Sequence, residues 1–447
     1  MSVTTGQAIP YRQPWYTGLN AMHWRILAAS FMGWIFDGFE SFALIVVIVP
    51  MLHALLAPPD QYASLPQWAG LCIGTTLLGW GIGGLVGGTL ADYVGRKRMM
   101  LWSVFLYAMF TGLTALSPNY WTMVGLRMLT GIAMGSEWST GVALLAETWP
   151  ERARPKGCGF LQSGFGWGTF LAALAWLILS AWSPLGAETW RLMFVVGTVP
   201  AIFVLYIRRN VNESEKWLTA MREQRWHATE GEVAHSGKRP FTLTEIFREP
   251  ESRKRVLLTF LLSLATTVGW WAVANLLGRY IGAVAKGAGY ARPESWSSWA
   301  ELVYTTGAIV AYLISGFVID AIGRRPFLFL SYVGCILMVP VTYFWMHTPE
   351  SILGSSFFNG FFTLGCAYTW MAIYPSELFT SSVRSTAASF IFNATRLIAW
   401  IFPIIAGAMI QAFGGIPQTA MTLASIYVFG LIVPWFLPET KGKPLPE

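Results

Sequence analysis

Twelve long apolar segments, separated by short polar stretches, dominate the pattern along the chain. They run over 25–52, 68–91, 99–116, 121–148, 157–182, 190–207, 256–281, 299–319, 327–346, 351–374, 385–411 and 418–437. Each segment is a continuous apolar run, whereas a membrane-spanning β-strand alternates apolar and polar positions. A helix needs about 20 residues to cross a bilayer. The pattern therefore predicts twelve transmembrane helices, called spans 1 to 12 below.

The composition agrees with a membrane protein. Of the 447 residues, 54% are apolar and 12% are charged, whereas soluble domains carry about 25% charged residues. This argues against a soluble enzyme, a disordered chain and a nucleic-acid-binding domain. The net charge of +7 is better explained by Lys and Arg facing anionic lipid. We expect the lipid bilayer as a partner and no nucleic acid.

Basic residues predict the orientation of the bundle. If the N-terminus is cytoplasmic, most of the 30 Lys and Arg lie on the same side. They concentrate in the loops after spans 2, 4, 6 and 8, and cytoplasmic loops carry such an excess. The sequence thus predicts a multi-pass cell-membrane protein with both termini in the cytoplasm.

The chain also repeats itself. GGTLADYVGRKR (87–98) after span 2 has a counterpart, SGFVIDAIGRRP (315–326), after span 8, and a Glu–Arg pair at one fixed spacing recurs after spans 4 and 10. Two motifs repeated at nearly the same distance predict two six-helix halves, as in many transporters. The predicted boundaries are an N-terminal half over 1–210, a cytoplasmic linker over 211–254 and a C-terminal half over 255–447.

The repeated acids and arginines are predicted to form a cytoplasmic gate. They stand at the ends of spans on one face, where acids and bases of the two halves can meet and separate. Solvated surface charges are the alternative, which the duplicated spacing disfavours. The predicted gate residues are Asp92, Arg96, Glu147, Arg154, Asp320, Arg324, Glu377 and Arg384.

These motifs resemble those of the major facilitator superfamily. The run Gly88-x-x-x-Asp92-x-x-Gly95-Arg96 is similar to its signature loop, and Arg127-x-x-x-Gly131-x-x-x-Gly135 is similar to its second motif. The segments NESEKWL (212–218) and PETKGK (438–443) resemble the ends of the halves in sugar and organic-acid porters. The resemblance implies an all-α membrane protein with twelve transmembrane helices in two pseudo-symmetric halves.

A narrower resemblance concerns the substrate. DGFESFALIVVIVP (37–50) is similar to span 1 of proton symporters for aromatic acids, sialic acid and short carboxylates, with Glu40 as the second acid. The segment 134–157 resembles the sialate/lactate and muconate-like branches, and the pair Arg384 and Arg396 resembles the aromatic-acid pattern. The resemblance implies an organic anion as substrate.

Charged residues inside the spans supply the candidate chemistry. With a rise of 1.5 Å per residue, Asp37 and Arg396 lie about 18 Å from the cytoplasmic ends of spans 1 and 11, near the depth of Glu40 and Arg127. Charges at mid-membrane face a cavity or each other. Asp37 or Glu40 is predicted to bind the coupling proton, and Arg396, with Arg127, a substrate carboxylate. A structural ion pair between Arg127 and the span 1 acids is the alternative.

Further candidates are less specific. Glu137 is predicted either as a second proton site or as a helix-packing carboxylate. Five residues with aromatic or amide side chains could line the substrate site, although each could equally serve packing. They are Gln162, Trp270, Asn275, Tyr368 and Asn393.

The sequence thus predicts a monomeric proton-coupled transporter that imports a small organic anion by alternating access. A sugar or polyol porter, a drug or metabolite exporter, and a membrane enzyme or sensor are the alternatives. The four cysteines and five histidines have no metal-ligand spacing, and no nucleophile constellation is visible. We expect no enzymatic activity, no metal and no cofactor beyond the coupling proton.

Overall fold

A computed structural model describes residues 14–56, 65–223, 241–290 and 293–446. All regular secondary structure in these ranges is helical. Of the predicted site residues, only Asn275 has a side chain outside the described part of the chain. The predicted linker lies partly outside it as well, at 224–240.

Spans 1 to 6 are helical at the predicted positions. Spans 4 and 6 each consist of two helices. The bounds are Ala21–Leu55, Leu65–Val94, Arg96–Ala115, Tyr120–Met134 with Glu137–Thr148, Arg154–Trp182, and Trp190–Val196 with Pro200–Asn210.

Spans 7 to 12 follow the same order, with more interruptions. Span 10 contains a π-helical turn, Phe361–Cys366, and spans 11 and 12 are divided into short helices. The bounds are Pro250–Gly287, Pro293–Ile322, Arg324–Pro340, Pro349–Gly360 with Ala367–Leu378, Arg384–Asn393 with Arg396–Ala399 and Phe402–Ala412, and Ile416–Ala424 with Val428–Ile432.

Nine helical segments within the described ranges are long and apolar enough to cross a membrane by length and composition. The remaining predicted spans, 3, 4 and 10, are also helical along their length. Span 4 carries Arg127 and Glu137, which lower its hydropathy, and its helix breaks between them. The sequence therefore placed all twelve spans, but not the breaks inside them.

The linker is more structured than the sequence suggested. It forms helix Glu215–Arg222, whose first turn is capped by the Ser214 hydroxyl, accepting from the Trp217 N–H at 3.2 Å. A second short helix, Thr242–Arg248, precedes span 7, which begins at Pro250. Proline is well suited to a first helical turn, since it lacks the N–H that would have no partner there.

Glycines allow the spans to approach closely. Spans 1 and 5 pack along their length, and a side chain at Gly164 or Gly168 would collide with the backbone of span 1. Between the halves, span 2 packs on span 11 and span 5 on span 8. Gly159 serves the second contact, where a Cβ would lie 2.8 Å from the Tyr312 carbonyl oxygen. Small residues are favoured where membrane helices pack.

Candidate functional site

The two repeated loops lie at one end of the bundle, called the motif face here and defined by 87–98 and 315–326. In its N-terminal corner, Arg96 Nη2 lies 3.0 Å from Asp92 Oδ1 and 3.1 Å from Glu147 Oε1. Arg384 of the C-terminal half reaches the same Glu147 oxygen at 2.9 Å. All four side chains are buried. Glu147 thus joins an arginine from each half.

Two further contacts cross between the halves at this corner. Asp92 Oδ2 accepts from the backbone N–H of Thr386 at 2.8 Å and from its hydroxyl at 2.6 Å. Arg96 donates to the Ser381 carbonyl at 2.7 Å, and the Ser381 hydroxyl donates to Glu147 at 2.9 Å. In this structure the halves are therefore closed against each other at the motif face.

The C-terminal corner has the same residue types with different partners. Arg324 binds Glu377 with two nitrogens, Nε at 2.8 Å and Nη2 at 2.5 Å. The Thr440 hydroxyl donates to Glu377 at 2.5 Å. Arg154 donates to its own half, to the Ala146 carbonyl at 3.0 Å. Within the described residues, Glu377, unlike Glu147, accepts its hydrogen bonds from its own half alone.

One ion pair crosses between the halves at the C-terminal corner. Asp320 pairs with Lys156 of span 5, a residue that is not among the gate residues predicted from the sequence. The Asp320 side chain is about one-third exposed, at 32%.

Each corner is completed by a glutamate from the segments that resembled porter motifs. Glu213 accepts from the Arg96 N–H at 3.0 Å and the Lys97 N–H at 3.2 Å. At the start of span 3 these N–H groups have no acceptor within the helix itself. They directly follow Gly95, whose φ of +103° favours glycine.

Glu439 occupies the equivalent place in the second half. It accepts from the Arg324 N–H at 3.0 Å and the Arg325 N–H at 3.1 Å, after Gly323 with φ +99°. Burial raises the pKa of Glu439, but these N–H donors outweigh it, and the net shift is downward. The sequence motif indicated these glutamates, although not their role.

Towards the middle of the bundle, Glu40 and Arg127 form a buried ion pair, with Nη1 and Oε1 2.5 Å apart. Arg127 Nη2 also donates to the Thr130 hydroxyl at 2.9 Å and the Thr111 hydroxyl at 3.4 Å. Its guanidinium lies over the Phe194 ring at 4.9 Å. These contacts match the alternative prediction, a structural pair between span 1 and span 4.

Asp37 and Glu137 contrast with this pair. Both side chains are buried, and none of their carboxylate oxygens has a hydrogen-bond partner among the residues that the structure describes. Glu137 is the first residue after the break in span 4, and its carboxylate occupies the space left by Gly33 of span 1, where a Cβ would overlap it. The Asp37 carboxyl interacts electrostatically with Glu137, Glu40 and Arg396.

Arg396 is the first residue after a break in span 11. Its guanidinium lies over the rings of Trp80, at 4.5 Å, and Phe392, at 4.0 Å. Its Nη1 donates to the Phe392 carbonyl, while Nε has no hydrogen-bond partner in the described ranges. Arg396 and Asp37 interact electrostatically. The structure therefore brings the predicted substrate arginine and proton carboxylate into one region.

Phe392 forms an aromatic contact between the halves. Its ring stacks on Trp138 of span 4, with centroids 3.8 Å apart and planes inclined by 22°. The Trp138 indole N–H donates to Gln162 at 2.5 Å, and the Gln162 amide donates to the Tyr368 carbonyl at 3.2 Å. Gln162 and Tyr368 are thus joined, as parts of an inter-half contact.

Asn393 forms a similar bridge. Its amide donates to the Gly135 carbonyl at 3.3 Å and to the Ser389 hydroxyl at 2.9 Å. Gly135 lies at the break in span 4. The Ser389 hydroxyl in turn donates to the Gly84 carbonyl at 2.5 Å. Trp270 packs edge-on against Tyr368 at 5.8 Å. These residues line the boundary of the halves near Arg396.

The sequence analysis missed the aromatic residues of this region. Trp34, Trp80, Trp138 and Phe392 form one buried group. Nothing in their spacing distinguished them from the many other aromatic residues in the spans. Across the residues that the structure describes, no three His, Cys, Asp or Glu side chains are grouped as metal ligands.

Comparison with known proteins identifies the family. The model of the family described as "Sugar (and other) transporter" matches residues 26–447. A putative metabolite transport protein of Haemophilus influenzae is 30% identical over 430 residues, which cover 96% of this chain and 99% of the relative. The sialic acid transporter NanX of Escherichia coli is 27% identical, covering 95% and 96%.

A solved structure supports the fold. The proton:xylose symporter XylE, with 6-bromo-6-deoxy-D-glucose bound, superposes with a TM-score of 0.74 at 17% identity, covering 95% of this chain and 98% of that one. The predicted architecture of twelve helices in two pseudo-symmetric halves is confirmed, as is the prediction of a transporter and not an enzyme. The chain belongs to the sugar (and other) transporter family of the major facilitator superfamily.

Proposed function

We propose that this transporter imports a small organic anion together with one or more protons. The proposal rests on a difference among the buried charged residues, since some form an ion pair and others do not. Glu40 and Arg127 neutralise each other at 2.5 Å, whereas Asp37, Glu137 and Arg396 are buried without an ion pair among them. Buried charges without partners are expensive and mark functional sites in membrane proteins.

Arg396 is the proposed carboxylate-binding residue. A guanidinium offers parallel N–H donors that suit a carboxylate, and no side chain or backbone group that the structure describes bonds the Arg396 Nε. The similarity to NanX, a sialic acid transporter, supports an organic acid as the substrate here as well. The likeness to the xylose symporter concerns the fold alone and does not favour a sugar.

Asp37 is the proposed coupling-proton site, with Glu137 as a second site. Each carboxylate is buried and lacks a hydrogen-bond donor among the described residues. A carboxylate in such surroundings is favoured in its protonated form. Glu40, which is paired with Arg127, is assigned a structural role within this proposal.

Alternating access is proposed to operate through the motif face, with the repeated acids and arginines as the gate. Breaking the contacts of Glu147 and Asp92 would open this face and release substrate there. By the positive-inside rule the motif face is cytoplasmic, with both termini on that side. The two halves 1–210 and 255–447 would move about the site as a monomer.

Uptake into proteoliposomes under an inward proton gradient tests the proposal. The panel should contain mono-, di- and aromatic carboxylates beside neutral sugars. We expect accumulation of at least one carboxylate, and collapse of that accumulation when the gradient is removed. Transport of sugars without any carboxylate would overturn the anion assignment.

Two substitutions in span 1 test the coupling. Asp37→Asn should abolish gradient-driven accumulation while retaining exchange of substrate across the membrane, because exchange needs no net proton movement. Glu40→Gln should instead lower the melting temperature, since it leaves Arg127 buried without its anion. Unchanged accumulation in both variants would exclude span 1 as the proton site.

A further inference from the structure

The Arg396 side chain is fixed by aromatic residues from both halves. Its guanidinium carbon lies 4.5 Å from the ring centre of Trp80 in span 2 and 4.0 Å from that of Phe392 in span 11. The backbone carbonyl of Phe392 also accepts a hydrogen bond from Arg396 Nη1. Ring faces and a backbone acceptor together therefore set the orientation of the guanidinium plane.

These contacts restrict how an anion can approach. Nη1 is already engaged by the Phe392 carbonyl, whereas the buried Nε has no hydrogen-bond partner within the described part of the chain. An anion therefore binds at the Nε edge, in the plane of the guanidinium. The face of an aromatic ring is electrostatically negative, so the rings that attract the cation repel an oxyanion above or below that plane.

The shape of the anion then decides how well it fits. A carboxylate is planar and can place both of its oxygens in the guanidinium plane. A sulfonate or phosphonate is tetrahedral, and at least one of its oxygens must leave that plane towards a ring face. Only tetrahedral anions therefore meet the electrostatic repulsion of the ring faces.

We infer that Trp80 and Phe392 make the site selective for planar carboxylates over tetrahedral oxyanions. The inference rests on the proposed function, in which Arg396 receives the substrate carboxylate. It assigns two residues a role in specificity that neither the motifs nor the comparisons suggested. Both act by positioning Arg396 and by shielding its faces.

Competition in the proteoliposome assay tests this selectivity. Uptake of the carboxylate identified by the panel is inhibited with matched pairs, benzoate against benzenesulfonate and nicotinate against pyridine-3-sulfonate. For the wild type we expect each carboxylate to inhibit at concentrations about tenfold or more below its sulfonate. In Trp80→Leu and Phe392→Leu the ratio should fall to about threefold or less, because the negative ring face is gone.

Three controls separate this role from a general structural one. Phe392→Tyr keeps a ring face over Arg396 and should keep the wild-type ratio. Trp34→Leu removes a ring that contacts Phe392 and Trp80, at 5.9 and 6.3 Å, and should also keep the ratio. Arg396→Lys should weaken inhibition by both members of a pair.

The outcomes distinguish this inference from the proposed function. If carboxylates are transported but the leucine variants keep the wild-type ratio, the aromatic selectivity is overturned and the anion transporter stands. Equal inhibition of the wild type by a carboxylate and its sulfonate would likewise overturn the aromatic selectivity and leave the anion transporter standing. If no carboxylate of the panel is transported or inhibits, both proposals are overturned.

Discussion

The two corners of the motif face use equivalent residues in different ways. Glu147 binds Arg384 of the other half at 2.9 Å and Arg96 of its own half at 3.1 Å. Its counterpart Glu377 is bound by Arg324 and Thr440 of its own half. A repeated sequence motif therefore does not imply a repeated contact. The N-terminal corner joins the halves mainly through buried groups, and the C-terminal corner mainly supports its own helices.

Glu147→Gln is expected to have the largest effect on this comparison. It removes the anion shared by Arg96 and Arg384, both fully buried, and breaking a buried pair costs about 3–5 kcal/mol. We expect the motif face to open and net transport to fall strongly. Maleimide labelling of a cysteine introduced at Ser389, in a background without the native cysteines, measures the opening, since Ser389 is buried against Gly84.

Glu377→Gln is the matched control for that experiment. It should lower the melting temperature, because Arg324 loses a bidentate partner, but it should raise labelling at position 389 much less. Equal labelling in the two variants would mean that both corners lock the halves, against the comparison drawn here.

The aspartates provide a second, smaller test. Asp92 is fully buried and accepts two hydrogen bonds from Thr386 across the halves, whereas Asp320 is about one-third exposed beside Lys156. Asp92→Asn should therefore reduce turnover severely while leaving equilibrium binding of substrate intact. Asp320→Asn should change turnover little, since exposed pairs contribute about 0–1 kcal/mol. The reverse order of the two turnover rates would contradict this assignment.

Thr386→Val tests the Thr386 hydroxyl at the N-terminal corner, which bonds Asp92 and also the Thr242 hydroxyl at 2.9 Å. It removes the hydroxyl donor to Asp92, at 2.6 Å, and keeps the backbone donor at 2.8 Å. The expected loss is about 1 kcal/mol, measured as a fewfold rise in labelling at position 389. Thr386→Ser retains a hydroxyl and should behave as the wild type. A Ser variant as open as the Val variant would show that the methyl group, not the bond, matters.

The smallest expected effect concerns the capping glutamate of the C-terminal corner. The folded-state pKa of Glu439 is lowered, so its carboxylate stabilises the fold above its unfolded pKa of about 4.3, and that stability is lost as the pH falls through the folded value. The wild type should thus be more stable than Glu439→Gln near pH 7, with the difference shrinking towards pH 3. Thermal unfolding across this range measures it. A difference that grows on acidification would contradict the lowered pKa.

The sequence predicted the architecture because its signals are long and redundant. Twelve apolar runs, the excess of basic residues on one face and two repeated motifs all indicate the same bundle. The breaks in spans 4 and 11 escaped prediction, because each is only two residues long, 135–136 and 394–395, and contains no proline. Those breaks place Glu137 and Arg396 at the start of new helices.

The site was predictable by residue type but not by pairing. Burial of Asp37, Glu40, Arg127 and Arg396 followed from their depth, yet the choice of Glu40 as the partner of Arg127 depends on side-chain geometry. Lys156 was read as one of several loop cations, and only the packing of span 5 on span 8 brings it to Asp320. The rings around Arg396 had no signal, since aromatic residues are common throughout the spans.

The closed contact between the halves depends heavily on acceptors that no point mutation can delete. Four bonds between the halves end on peptide carbonyls, and two donors come from each half. The bonds are Arg96 to Ser381, Gln162 to Tyr368, Ser389 to Gly84 and Asn393 to Gly135. Every residue type has a carbonyl oxygen, so sequence drift at the accepting positions leaves these bonds possible wherever the backbone keeps its path. For these four bonds, the constraint on the sequence accordingly falls on the donating side chains.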